Sequence, residues 1–344
     1  MTEEISTSQT APSLPTRVIS VGSLDGSANP FLFETEGRKG QYLTLSHRWG
    51  NAGIIKTTIT NIAEHRKQIQ LDSLSQTFQD AICFTRKLGY HYIWIDSLCI
   101  IQDSCEDWEF EASRMSEIYK NSILTLSASI ATSGDTGLFY PREEWNSVEL
   151  PVLSAKDGAF ASFSITDRLL STFEEDVRGG TLSQRAWCLQ ERILSPRILH
   201  FGKHQLHWEC ISGCWSESCI TAISEHDACS GDIDLKETLQ VLEVNGKSPL
   251  RQIYGRGPYG KWYRMITAYS RRMITNDQDR LPALVGLAKI FKQFSGDEYA
   301  AGLWIDDIPA GLLWSGLSFH APCDTASPLR RPTKNCAPSW SWAS

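Results

Sequence analysis

Apolar positions along this chain change their spacing several times, and each change marks an element. Tyr42-Leu43-Thr44-Leu45-Ser46 is a short β-rich run closed by the polar His47-Arg48-Trp49-Gly50 segment, a strand followed by a loop. From Asp72-Ser73 the spacing turns helical. Leu74, Phe78, Ala81, Ile82, Thr85 and Leu88 fall near one face, and Gly89 ends the run. Tyr92-Ile93-Trp94-Ile95-Asp96 follows as a second strand, apolar on both faces like a buried parallel strand. Ser104 with Asp107 three residues later predicts a capped helix start, and Trp108, Ala112, Met115 and Tyr119 carry the 3.6-residue period onward. Ile123-Leu124-Thr125-Leu126-Ser127 is a third strand. Strand, helix, strand, helix, strand with short connections predicts an α/β fold, a parallel sheet flanked by helices.

The regularity lapses between Ala131 and Gly180, where Gly134, Gly137, Pro141, Pro151, Gly158, Gly179 and Gly180 predict an inserted β-rich segment. Helical spacing returns from Ser183 to Leu194 and stops at Ser195-Pro196. Arg197 to Phe201 is a fourth strand, with Gln205 to Cys210 pairing near it. Residues 211–258 are polar and turn-rich. Gly255, Gly257 and Gly260 read as a loop, because no strand precedes them as a dinucleotide fingerprint requires. Helices near Lys261–Arg272 and Leu281–Phe294 and a Trp-rich end make a mixed α/β C-terminal extension. The chain therefore divides into a tail and lead-in (1–30), a main domain (31–210, with the insertion at 131–180) and a C-terminal region (211–344) packed on it.

Composition narrows the function classes. The 344 residues are 41% apolar and 21% charged, ordinary for a soluble globular protein. A net charge of -7 argues against nucleic acid as a partner, since a phosphate-tracking surface leaves a basic excess. No run reaches the roughly 18 apolar residues of a spanning helix, and Glu3 and Glu4 stand where a signal peptide carries positive charge. Ten cysteines with no export signal are expected to be reduced thiols, which places the protein in the cytoplasm, away from membranes. His204, His207, Cys210, Cys214 and Cys219 fit none of the paired zinc spacings, so no metal site is expected. The acidic run Asp103, Glu106, Asp107, Glu109 and Glu111 is explained by the favourable dipole of a helix start.

Three blocks resemble those of the HET (heterokaryon-incompatibility) domain, a self/non-self recognition and cell-death module of filamentous fungi. They are YLTLSHRWG (Tyr42–Gly50), YIWIDSLCIIQDSCEDWEFEASRMSEIYKNSILTLSAS (Tyr92–Ser129) and RAWCLQERILSPRILHFGKHQLHWEC (Arg185–Cys210). YSRRMITNDQDRLPALVGLA (Tyr269–Ala288) and APSWSWAS (Ala337–Ser344) resemble segments that follow the domain in many relatives, some of which continue further. The resemblance implies a distant kinship with the TIR domain, a flavodoxin-like module, some members of which cleave NAD with one glutamate in a W-C-x-x-E-like run. Trp187-Cys188-Leu189-Gln190-Glu191 falls at the equivalent place in the element order.

That resemblance makes Glu191 the candidate catalytic group and NAD a candidate nucleotide ligand, consumed as substrate with no separate cofactor. Trp187, Glu191 and Leu194 share a helix face, and a carboxylate on an apolar face needs a partner or a ligand. A lone carboxylate suits the oxocarbenium-like transition state of nicotinamide release. The structural alternative is an ion pair from Glu191 to Arg185, Arg192 or Arg48. Ligand crevices of open α/β sheets lie beyond the C-terminal ends of the strands. Ser46, Arg48 and Trp49 are therefore candidate substrate-binding residues after the first strand, as are Asp96 and Cys99 after the second, with Trp187 as a ring wall. Arg48 and Asp96 can equally pair with each other. Three functions follow: a cell-death effector acting by NAD hydrolysis, a non-catalytic module that binds itself or another incompatibility protein, and a HET fold recruited as a fungal secondary-metabolism enzyme.

Overall fold

A computed structural model describes residues 11–50, 55–141, 147–153, 160–166, 170–218, 236, 257–314 and 336–344. Its strands begin earlier than the apolar pattern suggested. β1 (Arg17–Ser20) and β2 (Phe31–Glu34) form an antiparallel pair inside the first 34 residues. Then come β3 (Leu43–Ser46), the one-turn helix α1 (Ile62–His65), α2 (Gln76–Lys87), β4 (Tyr92–Trp94), a second single turn α3 (Asp96–Cys99), α4 (Cys105–Asn121) and β5 (Leu124–Ser127). The second strand is thus shorter than predicted, because Asp96 opens α3 and its carboxylate accepts the Ser97 N–H at 2.6 Å.

The remaining elements are β6 (Ser147–Leu153), β7 (Phe160–Thr166), α5 (Ala186–Leu194), β8 (Arg197–Phe201), β9 (Leu206–Cys210), β10 (Gly213–Ser216), α6 (Gly257–Ser270), α7 (Pro282–Ser295), β11 (Tyr299–Ala300), β12 (Leu303–Trp304) and α8 (Ile308–Gly311). The β-rich insertion is a separate antiparallel hairpin of β6 and β7. Gly257 and Gly260 lie in α6, so that part of the expected loop is helical; Gly255 lies outside the described residues.

Eight strands form one mixed sheet in the order β10-β9-β8-β5-β3-β4-β1-β2. Its centre, β4-β3-β5-β8, is parallel throughout, with Leu43 opposite both Ile93 and Leu124, and Leu126 opposite Leu199. Antiparallel strands close both flanks. In order of appearance the four parallel strands run 2-1-3-4, so the chain reverses direction between β3 and β5. This is the switch point at which open α/β sheets place ligands.

The same reversal sorts the helices. Right-handed crossovers leading in opposite directions put their helices on opposite faces. Accordingly α2 packs on β4, while α4 packs with α5 and α7. Each helix has a readable local cause. Ser104 caps α4 by accepting the Asp107 N–H at 3.3 Å. Gly89, at φ +80, takes the left-handed conformation that ends the α2 region at little steric cost. Pro282 starts α7, where a missing N–H costs nothing. One core runs through the sheet and both helix layers, from Phe78 and Ile82 of α2 through Trp94 and Leu126 to Leu284 and Leu287 of α7. At the C-terminal end Trp262, Phe291 and Trp304 pack ring on ring, with Trp304 4.6 Å from Phe291 and 5.1 Å from Trp262.

Candidate functional site

α5 packs with α4 and α7 on one face of the sheet and delivers Glu191 to Ser46 at the end of β3. The Ser46 hydroxyl donates a short hydrogen bond to the Glu191 carboxylate. Ser46 Oγ is also 3.9 Å from Cys188 Sγ, one helical turn back on α5. Glu191 is 5% exposed. Burial raises its proton affinity, while the nearby charge of Arg185 and hydrogen bonds from Ser46 and the Tyr119 hydroxyl pull the other way. Burial prevails, and the carboxyl holds its proton more tightly than an ordinary glutamate.

None of the three expected ion pairs to Glu191 forms. Arg192 turns to Glu209, with Nε to Oε2 at 2.8 Å. Arg185 donates to the His47 carbonyl and reaches Glu191 only through its field. Arg48, half-buried on the loop after β3, makes no hydrogen bond or ion pair among the described residues, to Asp96 or to anything else. Asp96 is engaged from another side. Its Oδ2 accepts the Trp49 indole N–H at 2.9 Å, and Oδ1 stands 3.7 Å from His47 Nε2. The Lys56 ammonium lies 4.7 Å from the centre of the Trp49 ring. His47 is buried edge-on against Phe78 at 4.9 Å, and burial depresses its basicity so that it stays neutral. Its Nε2 has no hydrogen-bond partner among the described residues.

Ser46, Trp49, Asp96 and Glu191 therefore gather at one end of the sheet, whereas two other predicted residues do not join them. The Cys99 carbonyl accepts Arg17 Nε at 2.8 Å, and its thiol is buried in the core, where burial pushes it up to about 12. The Trp187 indole donates to Asp279 at 3.2 Å and packs edge-on against Trp108 at 6.4 Å. It bolts α5 to α4 and to the turn before α7 and offers no wall beside Glu191. Sharing a helix face with Glu191 was insufficient, because a long indole follows its hydrogen-bond acceptor.

Beside Ser46 and Cys188 is a narrow cavity of about 20 Å³, room for roughly one water, whose wall includes Thr125, Ser127, Ser129, His200 and Arg272. Behind that wall runs a buried polar chain. Ser127 Oγ and Ser129 Oγ are 3.0 Å apart, and Ser129 Oγ is 3.1 Å from His200 Nδ1. His200 Nε2 is 3.1 Å from Glu209 Oε2. Glu209 also receives Arg192 and, at 2.8 Å on Oε1, Lys236. These cations and His200 overcome burial and hold Glu209 well below the usual carboxylate range, while burial pushes His200 down to about 4. The sequence signal for this chain was a histidine and a glutamate within otherwise apolar strands, at Ile198-Leu199-His200-Phe201 and Leu206-His207-Trp208-Glu209.

His207 is held by Ser216 Oγ at 2.7 Å and Asp176 Oδ2 at 3.0 Å. With Cys219 outside the described residues, no group of three metal-ligating side chains occurs among those described. The acidic run at α4 is bound to Arg17, whose Nη2 meets both Asp107 oxygens at 2.7 and 2.6 Å and lies 3.5 Å from Glu111. The seven described cysteines are free thiols, and no described helix is long and apolar enough to cross a membrane.

Residues 42–191 match the family model described as Heterokaryon incompatibility protein (HET). The match begins on Tyr42 and ends on Glu191, so residues 192–210 and the C-terminal segments fall outside it. No curated protein and no solved structure matches the chain.

Proposed function

We propose that this chain, whose residues 42–191 match the HET family model, has a heterokaryon-incompatibility-related role as a cytoplasmic, TIR-like cell-death effector that hydrolyses NAD. The observation that carries this reading is the Glu191 carboxyl, buried without a salt bridge at the switch point of the sheet and held by Ser46. In the reaction the C1′–N bond to nicotinamide breaks and the nicotinamide leaves with the bonding electrons. Water oxygen then bonds to C1′, and one proton is released with ADP-ribose. Glu191 serves in its ionised form, facing the positive charge that develops on the ribosyl ring. The resting carboxyl resists ionisation because it is buried, and a cationic nicotinamide ring beside it restores the charge. In this reading Asp96 accepts ribose hydroxyls, the Trp49 ring flanks the base, and Arg48 takes a phosphate at the rim.

The cavity beside Ser46 is too small for a nicotinamide ring. Glu191 is itself buried, so substrate access requires it to be uncovered, which we assign to self-association or to docking on another incompatibility protein. The same closure favours the second reading, a module that binds its partners and carries out no chemistry.

The experiment is NAD consumption by concentrated, assembled protein beside a Glu191→Ala variant matched for folding by circular dichroism. Nicotinamide release by the wild type and none by the variant is the expected result. No turnover by assembled wild-type protein sinks the hydrolase and leaves the interaction module, or a secondary-metabolism enzyme with another substrate.

A further inference from the structure

Resting on the hydrolase reading, we propose that the hydroxyl-lined cavity is the water site of the reaction, and that Ser127, Ser129 and His200 form the path by which the attacking water sheds its proton. The cavity has Ser46, the partner of Glu191, on one side and Ser127, Ser129 and His200 on another. Register across the sheet puts Ser46 opposite Ser127 and Ser127 opposite His200, so the three polar side chains form a row across β3, β5 and β8.

Hydrogen-bond polarity along the path is set from its far end. Glu209, ionised and flanked by Arg192 and Lys236, can only accept, so His200 carries its proton on Nε2 and donates it to Glu209. Nδ1 is then a bare lone pair that accepts the Ser129 hydroxyl proton, and Ser129 Oγ accepts in turn from Ser127. A water in the cavity that donates to either serine sits at the head of a chain already oriented to take its proton.

The chemistry balances with a weak base. As the water oxygen bonds to C1′ it becomes a strongly acidic oxonium. One proton moves to Ser129 Oγ, directly or through Ser127 with Ser127's own proton passing on, as the Ser129 proton moves to His200 Nδ1, and the imidazolium is held by Glu209 until solvent takes the proton. An imidazole of low basicity suffices and releases its proton readily. Glu209 anchors the far end of this chain, and Ser46, which holds Glu191, borders the cavity at its head. Ser129 and His200 touch no ribosyl atom and act as positioning residues for the water.

Two measurements on the full chain test this. Nitrogen NMR of His200 in wild-type protein is expected to show a neutral ring protonated on Nε2 at neutral pH; a ring protonated on Nδ1, or an imidazolium, overturns the path without any variant. In NAD turnover, Ser129→Ala is expected to lower kcat about 100-fold, within the range of a lost general base, with KM unchanged and the solvent deuterium isotope effect altered. Wild-type kcat in that variant overturns the path and leaves Glu191 in place. Absence of turnover in the wild type overturns the hydrolase reading and the path together.

Discussion

Glu191 and Ser46 are 145 residues apart in the chain and share one hydrogen bond, which joins the last turns of α5 to the end of the central strand β3. That bond is also where the domain keeps a carboxyl largely out of water. The protein accepts a cost here that an apolar residue of the same size would avoid, and the cost depends on pH.

Its sign follows from the direction of the shift. The folded protein binds the Glu191 proton more tightly than the unfolded chain does. The resulting stabilisation is complete below the ordinary glutamate value and is lost as pH rises through the raised one. Glu191→Gln keeps a neutral acceptor for Ser46 and cannot ionise. Its melting temperature is expected to exceed that of wild type at alkaline pH, with the gap closing toward acid. Parallel melting curves at every pH would contradict this.

His200 gives the opposite slope. Its basicity is pushed down to about 4 from 6.5, so the unfolded chain takes up a proton that the folded one refuses. The protein is expected to lose up to about 3 kcal/mol as pH falls between those values, with Glu209 adding to the loss at lower pH. Denaturant titrations on wild type and His200→Gln across that window test it, the variant showing the flatter profile.

Arg17 is buried on β1 and holds Asp107, Glu111 and the Cys99 carbonyl at once. Arg17→Ala leaves the buried Glu111 and the half-buried Asp107 without their cation and is expected to cost about 3 kcal/mol, read from the urea midpoint. A loss under 1 kcal/mol would mean that water replaces the guanidinium.

Gly286 runs against helix propensity. In most helices Gly→Ala stabilises by up to about 1 kcal/mol. Here a Cβ would lie 2.3 Å from Ser116 Cβ and 2.7 Å from Gln190 Oε1, the oxygen that accepts the Gly286 N–H at 3.0 Å. Gly286→Ala is expected to destabilise by about 1–3 kcal/mol through overpacking between α4, α5 and α7. Thermal melts would show the sign directly.

Much of the fold was legible because period carries it. The alternating and helical runs from Tyr42 to Phe201 located β3, β4, β5, β8 and the long helices to within a few residues. β1 and β2 were not legible, since no helical period adjoins either run as α2 and α4 adjoin the equally short β4 and β5. Ser46, Trp49, Asp96 and Glu191 converge because all lie at strand or helix ends on one rim, a property of topology that order alone implies. Trp187 and Cys99 diverge because rotamer and burial decide where a side chain goes, and neither is encoded by spacing. The partnership of His200 with Ser129 and Glu209 needed strand pairings that no local pattern contains.

The boundary of the family match has a consequence for how the domain is inherited. Residues 42–191 hold β3, β4 and β5 but neither β8 nor β1, the strands that complete hydrogen bonding on each side, nor α7, which covers α4 and α5. A fragment cut to the match would expose two open sheet edges and an uncovered apolar helix face, a template for edge-to-edge aggregation. It is expected to be insoluble where a fragment spanning residues 11–314 is soluble. The stretch that matches the family model is thus smaller than the unit that folds, which β1, β8 and α7 complete.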